Sequence, residues 1–371
     1  METTELRSGA FWDSEGCCVL SPPGHEGQKE AIRDALKDQE GVVFATSGSC
    51  GPPKWVMFKR SSLLASARAV NQHLKVTEDD RFMVALPLYH VGGFGVVARA
   101  YDAKCHVSAL QGRWNAREFK EAVESDHSTV ASLVPTQVHD LVKLGLEAPE
   151  SLRAVVVGGG KLNEKEGQCA RNLGWPVLQS YGMTEAGSQI ATATLASLDE
   201  PFQAVPLPIL PIWEFRTSKA GCLEFRGSAL CKYYIEKDRE ELCCRKAGDK
   251  EGWFSSSDLV QITGNQLTVN GRADRKVKIL GELVDIESLE KEVREYLDCK
   301  RAHLLAVPDS RRGARMLLVV EEDLGEVGGL LAQWNGHRPG FLRIDEVEVV
   351  ARFPRTGMGK VDVAALRKML S

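Results

Sequence analysis

The chain has 371 residues, of which 43% are hydrophobic and 26% are charged, as expected for a globular protein large enough for two or three domains. Its formal net charge is -4 and its pI is about 6.1, so no global positive field attracts nucleic acid or an anionic membrane. No segment is long and apolar enough for membrane insertion.

The N-terminus and the cysteines both predict a cytoplasmic protein. The first residues include acidic side chains and lack a basic start followed by an apolar run, so they do not resemble a signal peptide. The 10 cysteines are scattered without C-x-x-C spacing, which argues against a zinc site. We therefore expect reduced thiols, most of them behaving as small buried hydrophobic residues.

Strands and helices are expected to alternate through the first half of the chain. The first forty residues are predicted to be irregular, apart from a helix over 29–36. A β-branched run at 41–45 predicts a strand, which leads through a Gly- and Pro-rich loop at 46–54 to a helix over 61–74. Further apolar runs typical of strands buried on both faces of a parallel sheet lie at 82–86, 130–134, 152–157 and 176–180, with a helix at 136–144. This alternation predicts a doubly wound α/β body.

The pattern changes after Pro201. Short strands at 212–216, 222–226 and 259–269 predict an antiparallel β-subdomain, with Gly264-Asn265 as a hairpin turn.

A compact α+β unit is predicted at the C-terminal end. Four apolar residues fall on one helical face behind a plausible N-cap at Asp285, namely Ile286, Leu289, Val293 and Leu297. Strands are expected at 303–307, at 316–321 and near Val347, followed by a Gly-rich loop and a terminal helix.

One loop has the composition of a phosphate site. The segment Thr46-Ser47-Gly48-Ser49-Cys50-Gly51-Pro52-Pro53-Lys54 combines hydroxyls, glycines and a lysine between a predicted strand and a predicted helix. Glycines let backbone N–H groups approach phosphate oxygens, hydroxyls add donors, and lysine supplies positive charge. Its spacing is not that of an ordinary P-loop. The alternative is a Gly/Pro connector with a chance lysine.

Two further segments end predicted strands of the parallel sheet. Tyr181-Gly182-Met183-Thr184-Glu185 offers a ring for a base, a hydroxyl for a phosphate and a carboxylate for Mg²⁺. Gly158-Gly159-Gly160 would let a flat base lie against the backbone, at the sheet edge where ligands of open α/β sheets bind. Each segment alone is also compatible with an ordinary turn.

The last third of the chain contains three more candidates. Asp258 could accept hydrogen bonds from ribose hydroxyls, and Arg272 could reach the same sugar. Pro354-Arg355-Thr356-Gly357-Met358-Gly359-Lys360 holds a lysine on a glycine-flanked loop. Taken singly, each is also compatible with a solvated surface charge.

Taken together, the order and spacing of these segments resemble the adenylate-forming superfamily of acyl-CoA synthetases, peptide-synthetase adenylation domains and luciferases. The resemblance runs from about Gly41 to the C-terminus and includes Leu86-Pro87-Leu88-Tyr89-His90. Ser132-Leu133-Val134-Pro135-Thr136-Gln137 and the run from Tyr181 to Gln189 are similar to the o-succinylbenzoate-CoA ligases of menaquinone biosynthesis.

The resemblance implies an α/β fold in two parts. A large AMP-binding domain, 1–271, would contain doubly wound sheets, a small β-subdomain and a shortened N-terminal part. A small mobile α+β lid domain, 275–371, would carry the catalytic lysine and turn about a hinge at Asp274.

The resemblance also implies an AMP-forming acid-thiol ligase that uses ATP, Mg²⁺ and coenzyme A. The implied catalytic residues are Lys360, Thr184, Glu185 and His90, with Glu185 on the metal. Nucleotide contacts are implied for Thr46, Ser47, Gly48, Ser49, Gly51, Lys54, Gly158, Gly159, Gly160, Tyr181, Gly182, Asp258 and Arg272. His90, Ser188 and Gln189 would contact a small-molecule carboxylic acid, and Lys278-Ile279-Leu280-Gly281-Glu282 would face the pantetheine tunnel in the second step.

The sequence departs from the family pattern in two places. Cys50 stands where the family usually has threonine, and a thiol is a poor hydrogen-bond donor. Few residues precede Thr46, so a sheet edge is expected to need another cover, such as a second chain in a homodimer. Arg311, Arg312 and Arg315 could meet the phosphates of CoA or simply form a solvated loop.

Two other functions remain open on the sequence. The enzyme could load another carboxylic acid onto CoA or onto a carrier-protein thiol. Alternatively, the chain could be a non-catalytic nucleotide-binding relative, but the joint presence of Lys360, Glu185 and Asp258 argues against that.

Overall fold

The computed structural model describes residues 3–23, 26–37, 39–46, 54–238, 241–280, 282–299, 301–309, 312–321, 327–357 and 359–370, with the backbone alone at 3, 4, 237, 238, 241, 274, 276, 278, 283, 327 and 328. The helices are α1 Thr3–Leu6, α2 Gly9–Trp12, α3 Lys29–Leu36, α4 Arg60–His73, α5 Val91–Asp102, α6 Ala116–Asp126, α7 Pro135–Lys143, α8 Glu164–Asn172, α9 Ile286–Tyr296, α10 Val327–Gly336 and α11 Val363–Met369.

Strands β1 to β9 are Cys17–Leu20, Gly41–Thr46, Lys54–Phe58, Arg81–Val84, His106–Ala109, Val130–Leu133, Ala154–Val157, Val177–Met183 and Ser188–Thr192. Strands β10 to β16 are Leu207–Pro208, Trp213–Thr217, Cys222–Gly227, Tyr233–Asp238, Glu241–Lys246, Phe254–Thr263 and Gln266–Arg272. Strands β17 to β21 are Lys276–Ile279, Glu282–Asp285, Ala302–Asp309, Gly313–Val320 and Glu346–Val349.

The doubly wound body is a six-stranded sheet of order β5-β4-β6-β7-β8-β9, parallel except for β9. Successive residues of β7 point to opposite faces: Val156 packs in one apolar core, whereas Val155 and Val157 pack in another. Both cores exclude water, which explains why these strands read as continuous apolar runs. The parallel sheet predicted from the sequence is confirmed.

A second sheet, of order β1-β2-β3-β13-β14, contains the two strands that flank the predicted phosphate loop. The loop joins β2 to β3, which pair antiparallel with Thr46 opposite Lys54. Strand β13 pairs with β3, so that Ile235 faces Trp55. The region after Pro201 is therefore not a single subdomain, because one of its hairpins completes this sheet.

The remaining strands after Pro201 form the predicted antiparallel sheet, of order β10-β16-β15-β12-β11. Its β15–β16 hairpin turns at Gly264-Asn265 and places Asp258 directly opposite Arg272. The hairpin expected from alternating residues is therefore present, and it aligns two candidate site residues.

The C-terminal residues form a hairpin, β17–β18, and a three-stranded sheet, β19-β20-β21. Helix α9 begins as predicted, because the Asp285 side chain accepts hydrogen bonds from the backbone N–H groups of Glu287 and Ser288. Ile286, Leu289 and Val293 are buried in an apolar core whose described members all lie between Val277 and Val347.

The expectation that the first forty residues are largely irregular is wrong. Strand β1 pairs in parallel with β2, and two short helices precede it. Trp12 stacks on Tyr101 at 5.1 Å between ring centroids and donates its indole N–H to the Leu6 carbonyl. Helix α1 contacts α5 and the edge strand β5. Residues of this chain therefore cover part of one sheet edge, for which a second chain was suggested above as the cover. Within the described residues, no helix combines the length and apolar composition needed to cross a membrane.

Candidate active site

The candidate residues gather at the carboxyl-end edge of the six-stranded sheet. Strands β4, β6, β7 and β8 run in parallel, so the segments that follow them emerge on the same side. These segments contain His90, Thr136, Gly158 and Thr184. Such an edge is where open α/β sheets bind ligands.

A buried carboxylate links β8 to the antiparallel sheet. Asp258 is 7% exposed and accepts a hydrogen bond of 2.5 Å from the Tyr181 hydroxyl. Its other oxygen accepts a hydrogen bond of 3.1 Å from Arg272. Burial, and then the negative charge of Asp258, raises the pKa of Tyr181 well above its usual value. The structure thus brings three predicted nucleotide contacts into one hydrogen-bonded group.

A second carboxylate, Glu185, is held by a tyrosine that the sequence did not single out. The Tyr234 hydroxyl donates to one Glu185 oxygen at 2.5 Å. The Tyr234 ring lies 6.0 Å from the Lys54 ammonium, and Lys54 also pairs with Glu236 at 3.6 Å. Tyr234 thereby connects the predicted metal ligand to the end of the predicted phosphate loop.

The phosphate loop is described at its two ends. Thr46 Oγ1 donates to the Lys54 carbonyl at 3.1 Å, which closes the base of the loop. Ser47, Gly48, Ser49, Cys50 and Gly51 lie outside the described residues.

Glycine is required at Gly182 by a close backbone approach. A Cβ there would lie 1.7 Å from the Ser188 carbonyl oxygen, because β9 folds back onto β8. Gly158 and Gly160 are less constrained, since a Cβ would lie 3.1 Å from Ser180 Oγ and 3.5 Å from Pro135, respectively. Gly159 has φ +77°, the left-handed region that favours glycine.

The C-terminal loop that carries Lys360 is seated at the same edge. A Cβ at Gly357 would lie 2.5 Å from the Tyr89 hydroxyl and 3.3 Å from His90 Nε2. A Cβ at Gly359 would lie 2.6 Å from Thr136 Oγ1. The two glycines of this loop therefore allow close contact with the segments that contain Tyr89, His90 and Thr136.

Lys360 is close enough to the buried carboxylate of Asp258 for their charges to interact. Part of its side chain meets solvent, yet the surrounding protein desolvates the ammonium group and lowers its pKa. The negative charge of Asp258 opposes this shift, whereas Arg272 adds to it. The arrangement places a cation beside the predicted ribose contacts.

His90 precedes α5 and faces the loop that carries Lys360. Its ring lies 4.7 Å from that of Tyr89. Burial lowers its pKa from 6.5 to about 4, so the imidazole is neutral at ordinary pH. A neutral His90 can accept or donate a hydrogen bond but does not supply a cation.

The predicted substrate residues differ in their surroundings. Ser188 Oγ would lie 3.6 Å from a Cβ at Gly95, beside a small internal cavity. Gln189 is 5% exposed, and its side-chain oxygen accepts a hydrogen bond from Thr192. This pairing within β9 gives Gln189 a structural partner.

Thr184 begins a 3₁₀ turn, and its carbonyl accepts a hydrogen bond from Gly187.

Arg99 is a candidate that sequence reasoning missed. It is 2% exposed on α5, lines the same cavity as Ser188, and donates to Ser132 Oγ at 2.9 Å. Burial lowers its pKa to about 10, and within the described part of the chain it forms no ion pair. The available signal was an arginine inside the apolar helical run 91–100.

The residues predicted to act in the second step are partly described. The backbone of Asp274 lies in a 3₁₀ turn, Ala273–Arg275, whereas its side chain lies outside the described residues. In the loop 278–282, Leu280 is 52% exposed, and Gly281 is not described. Arg311 is also outside the description, whereas Arg312 pairs with Asp345 and Arg315 with Glu346. These ion pairs favour the solvated-loop interpretation of the basic cluster.

Comparison with known proteins agrees with this geometry. A family model described as AMP-binding enzyme matches residues 12–212, more than half of the chain. The 2-succinylbenzoate-CoA ligase of Bacillus pumilus is 27% identical over 355 residues, which span 92% of this chain and 72% of the relative. A probable 2-succinylbenzoate-CoA ligase of Mycobacterium tuberculosis is 27% identical over 371 residues, spanning 95% and 91%.

Solved structures share the fold. The o-succinylbenzoate CoA synthetase of Bacillus subtilis, in complex with its acyl-adenylate intermediate, matches with TM-score 0.74 and 22% identity, covering 99% of this chain and 81% of that one. The ATP-bound MatB protein of Rhodopseudomonas palustris matches with TM-score 0.75 and 19% identity, covering 100% and 82%. The predicted α/β adenylate-forming fold is confirmed.

Proposed function

We propose that this chain, which belongs to the AMP-binding enzyme family, is an ATP-dependent ligase that activates a carboxylic acid as its acyl-adenylate and transfers the acyl group to coenzyme A. The acid we propose is 2-succinylbenzoate, the acid in the names of relatives that align with most of this chain. The observation that carries the proposal is the seating of the Lys360 loop against Tyr89, His90 and Thr136, with Lys360 close enough to Asp258 for their charges to interact.

In the first step, a carboxylate oxygen of the acid attacks the α-phosphorus of ATP, and pyrophosphate leaves. Both reactants are anions, so the protein has to position them and offset their repulsion. Lys360 would lie between the carboxylate and the α-phosphate. Asp258 and Arg272 would hold the ribose, and Tyr181 would flank the adenine.

Glu185 suits a magnesium site that the nucleotide completes. The Tyr234 hydroxyl occupies one carboxylate oxygen, which leaves the other to a hard cation. Within the described residues, no group of three or more acidic, histidine or cysteine side chains could hold a metal. A single carboxylate such as Glu185 suits Mg²⁺, which proteins commonly bind through one or two carboxylates together with substrate phosphates. When bound, the ion would neutralise phosphate charge.

Arg99 supports an acid that carries a second anionic group. A buried guanidinium without an ionic partner is costly, because the charge loses its hydration. Arg99 Nε is buried without a hydrogen-bond partner, and the residue lines a cavity beside Ser188. A carboxylate of the substrate, remote from the reacting one, would complete this site once the lining side chains move, because the cavity as it stands has a volume of about 10 Å³, room for about one water molecule. 2-Succinylbenzoate has two carboxyl groups and meets that requirement.

In the second step, the thiol of CoA attacks the acyl carbonyl, its proton is lost, and AMP leaves. The bond that breaks is the acyl C–O bond, so the former carboxylate oxygen leaves with AMP. Lys360 would not be needed in that step, because a carboxylate and a phosphate no longer have to be brought together. The lid domain, 275–371, would turn about Asp274 and withdraw the lysine loop. The hinge and the domain boundary are both part of this proposal.

The test is pyrophosphate release from MgATP in the presence of 2-succinylbenzoate, succinate or benzoate. We expect release to require an acid and to be fastest with 2-succinylbenzoate, because benzoate has no second carboxylate for Arg99 and succinate lacks the aromatic ring that the proposed acid would place beside the apolar lining of the cavity. Pyrophosphate release with only one of the other acids would support the ligase activity but would show that the substrate is not 2-succinylbenzoate. Absence of stimulation by any acid would support the non-catalytic alternative.

A further inference from the structure

A cavity of about 330 Å³ lies outside the nucleotide site, between α3, β1 and the segment 88–89. Its apolar lining is Val19, Leu20 and Leu88, and its polar lining is Glu5, Cys18, Ser21, Lys29, Arg33 and Tyr89. A volume above about 300 Å³ is typical of pockets that bind small molecules. The residues assigned above to the nucleotide and to the acid do not line it.

The polar lining of this cavity is suited to an anion. Lys29 and Arg33 are four residues apart on α3, so they project from the same face of the helix. Neither forms an ion pair within the described residues, although Glu5 lines the same cavity. Ser21 adds a buried hydroxyl without a hydrogen-bond partner. Two unpaired cations and an unsatisfied hydroxyl match the acceptor oxygens of a phosphate.

Tyr89 connects this cavity to the catalytic edge of the sheet. Its side chain lines the cavity, while its hydroxyl lies near Gly357 of the Lys360 loop. Its ring is also 4.7 Å from that of His90. The cavity is therefore separated by one aromatic side chain from the place where the acyl group would react.

We propose that this cavity binds a phosphate-bearing part of the thiol acceptor, with Lys29 and Arg33 as its anion-binding residues. The inference rests on the proposed function, which requires a phosphorylated thiol to reach the acyl carbonyl. The proposed function assigns the phosphates of ATP to Lys54 and the loop before it, so Lys29 and Arg33 are not needed for the nucleotide. The apolar residues would pack against the uncharged chain that joins the phosphates to the thiol.

The test compares two acceptors in the full-length enzyme. CoA carries phosphates and pantetheine does not, so only CoA should respond to removal of the two cations. In Lys29→Ala/Arg33→Ala we expect the KM for CoA to rise about tenfold, as for the loss of charge-assisted hydrogen bonds. The KM for pantetheine should stay the same. Arg117→Ala/Lys165→Ala is the matched control, because it removes two exposed cations from other helices.

Acid-dependent ATP–pyrophosphate exchange is measured in the same preparations. It monitors adenylation, which does not use the acceptor, and it reports whether the variant is folded. An unchanged KM for CoA with normal exchange would overturn the inference and leave the proposed function intact. An equal rise with CoA and pantetheine, or an equal rise in the control variant, would also overturn it. Absence of exchange in the wild-type enzyme would remove the proposed function and this inference with it.

Discussion

At the residue scale, Asp258 tests the nucleotide site. Replacing it with alanine removes the acceptor of the Tyr181 and Arg272 hydrogen bonds and the proposed ribose contact. A hydrogen bond to a charged group contributes about 1.5–3 kcal/mol, so we expect ATP affinity to fall at least tenfold. Calorimetric titration with ATP measures this. Glu214→Ala, which removes an exposed carboxylate of β11, should leave the affinity unchanged; equal affinity in both variants would exclude Asp258 from the site.

His90 gives a pH dependence of stability whose sign can be stated. Its folded pKa is about 4, below the ordinary 6.5, because burial disfavours the imidazolium. As the pH falls through 6.5, the unfolded chain takes up a proton that the folded protein does not, so stability decreases toward pH 4. Because His90 is only partly buried, we expect about 1–2 kcal/mol between pH 7.5 and 5.

Urea unfolding at these two pH values measures the effect against His90→Gln. The variant lacks the titrating group, so it should lose less stability than the wild type on acidification. Equal losses would show that His90 titrates alike in the folded and unfolded states.

Local motifs made Tyr181, Asp258, Arg272 and Lys360 candidates from the sequence, because each lies in a short pattern with a chemical interpretation, and the structure brings them together. Tyr234 and Arg99 could not be found in that way. Tyr234 acts on Glu185, 49 residues before it in the chain, and only the pairing of β13 with β3 brings them together. Arg99 lies in an apolar helix, where its significance depends on a buried cavity rather than on neighbouring residues.

At the scale of elements, the N-terminal segment is the clearest disagreement with sequence expectation. A run without helical or alternating periodicity looks irregular, yet Trp12 is 7% exposed and packs on Phe94 and Tyr101 of α5. The structure of this segment is determined by long-range packing, which local sequence propensity does not predict. The parallel strands were predicted correctly because burial on both faces gives a continuous apolar run that is visible locally.

Trp12→Ala tests whether this segment belongs to the folded core. Deleting a buried tryptophan side chain typically costs about 3–5 kcal/mol, and we expect a loss of that size in urea unfolding. Trp12→Phe keeps much of the ring packing but removes the hydrogen bond to the Leu6 carbonyl. It should cost only about 1 kcal/mol for that bond and a little more for the smaller ring. A loss below about 1 kcal/mol in Trp12→Ala would contradict the described packing.

At the scale of the whole molecule, the C-terminal loop that carries Lys360 lies against the segments that contain Tyr89, His90 and Thr136. The glycines around Lys360 allow the loop to approach Tyr89 and Thr136. In the proposed reaction, Lys360 would contribute a cation where the carboxylate and the α-phosphate meet. Once the adenylate has formed, two anions no longer have to be brought together, so Lys360 would no longer be needed at this position. The proposed two-step reaction therefore predicts that this lysine is needed in one half-reaction and not in the other.

The most direct test is a single-turnover assay of both half-reactions on Lys360→Ala. Loss of one electrostatic contact to the transition state typically costs about 10²–10³ in rate, so adenylation should fall at least that far. When the acyl-adenylate is synthesised separately and supplied with CoA, the same variant should form acyl-CoA at nearly the wild-type rate. Equal damage to both half-reactions, or none to adenylation, would contradict the role assigned to this loop.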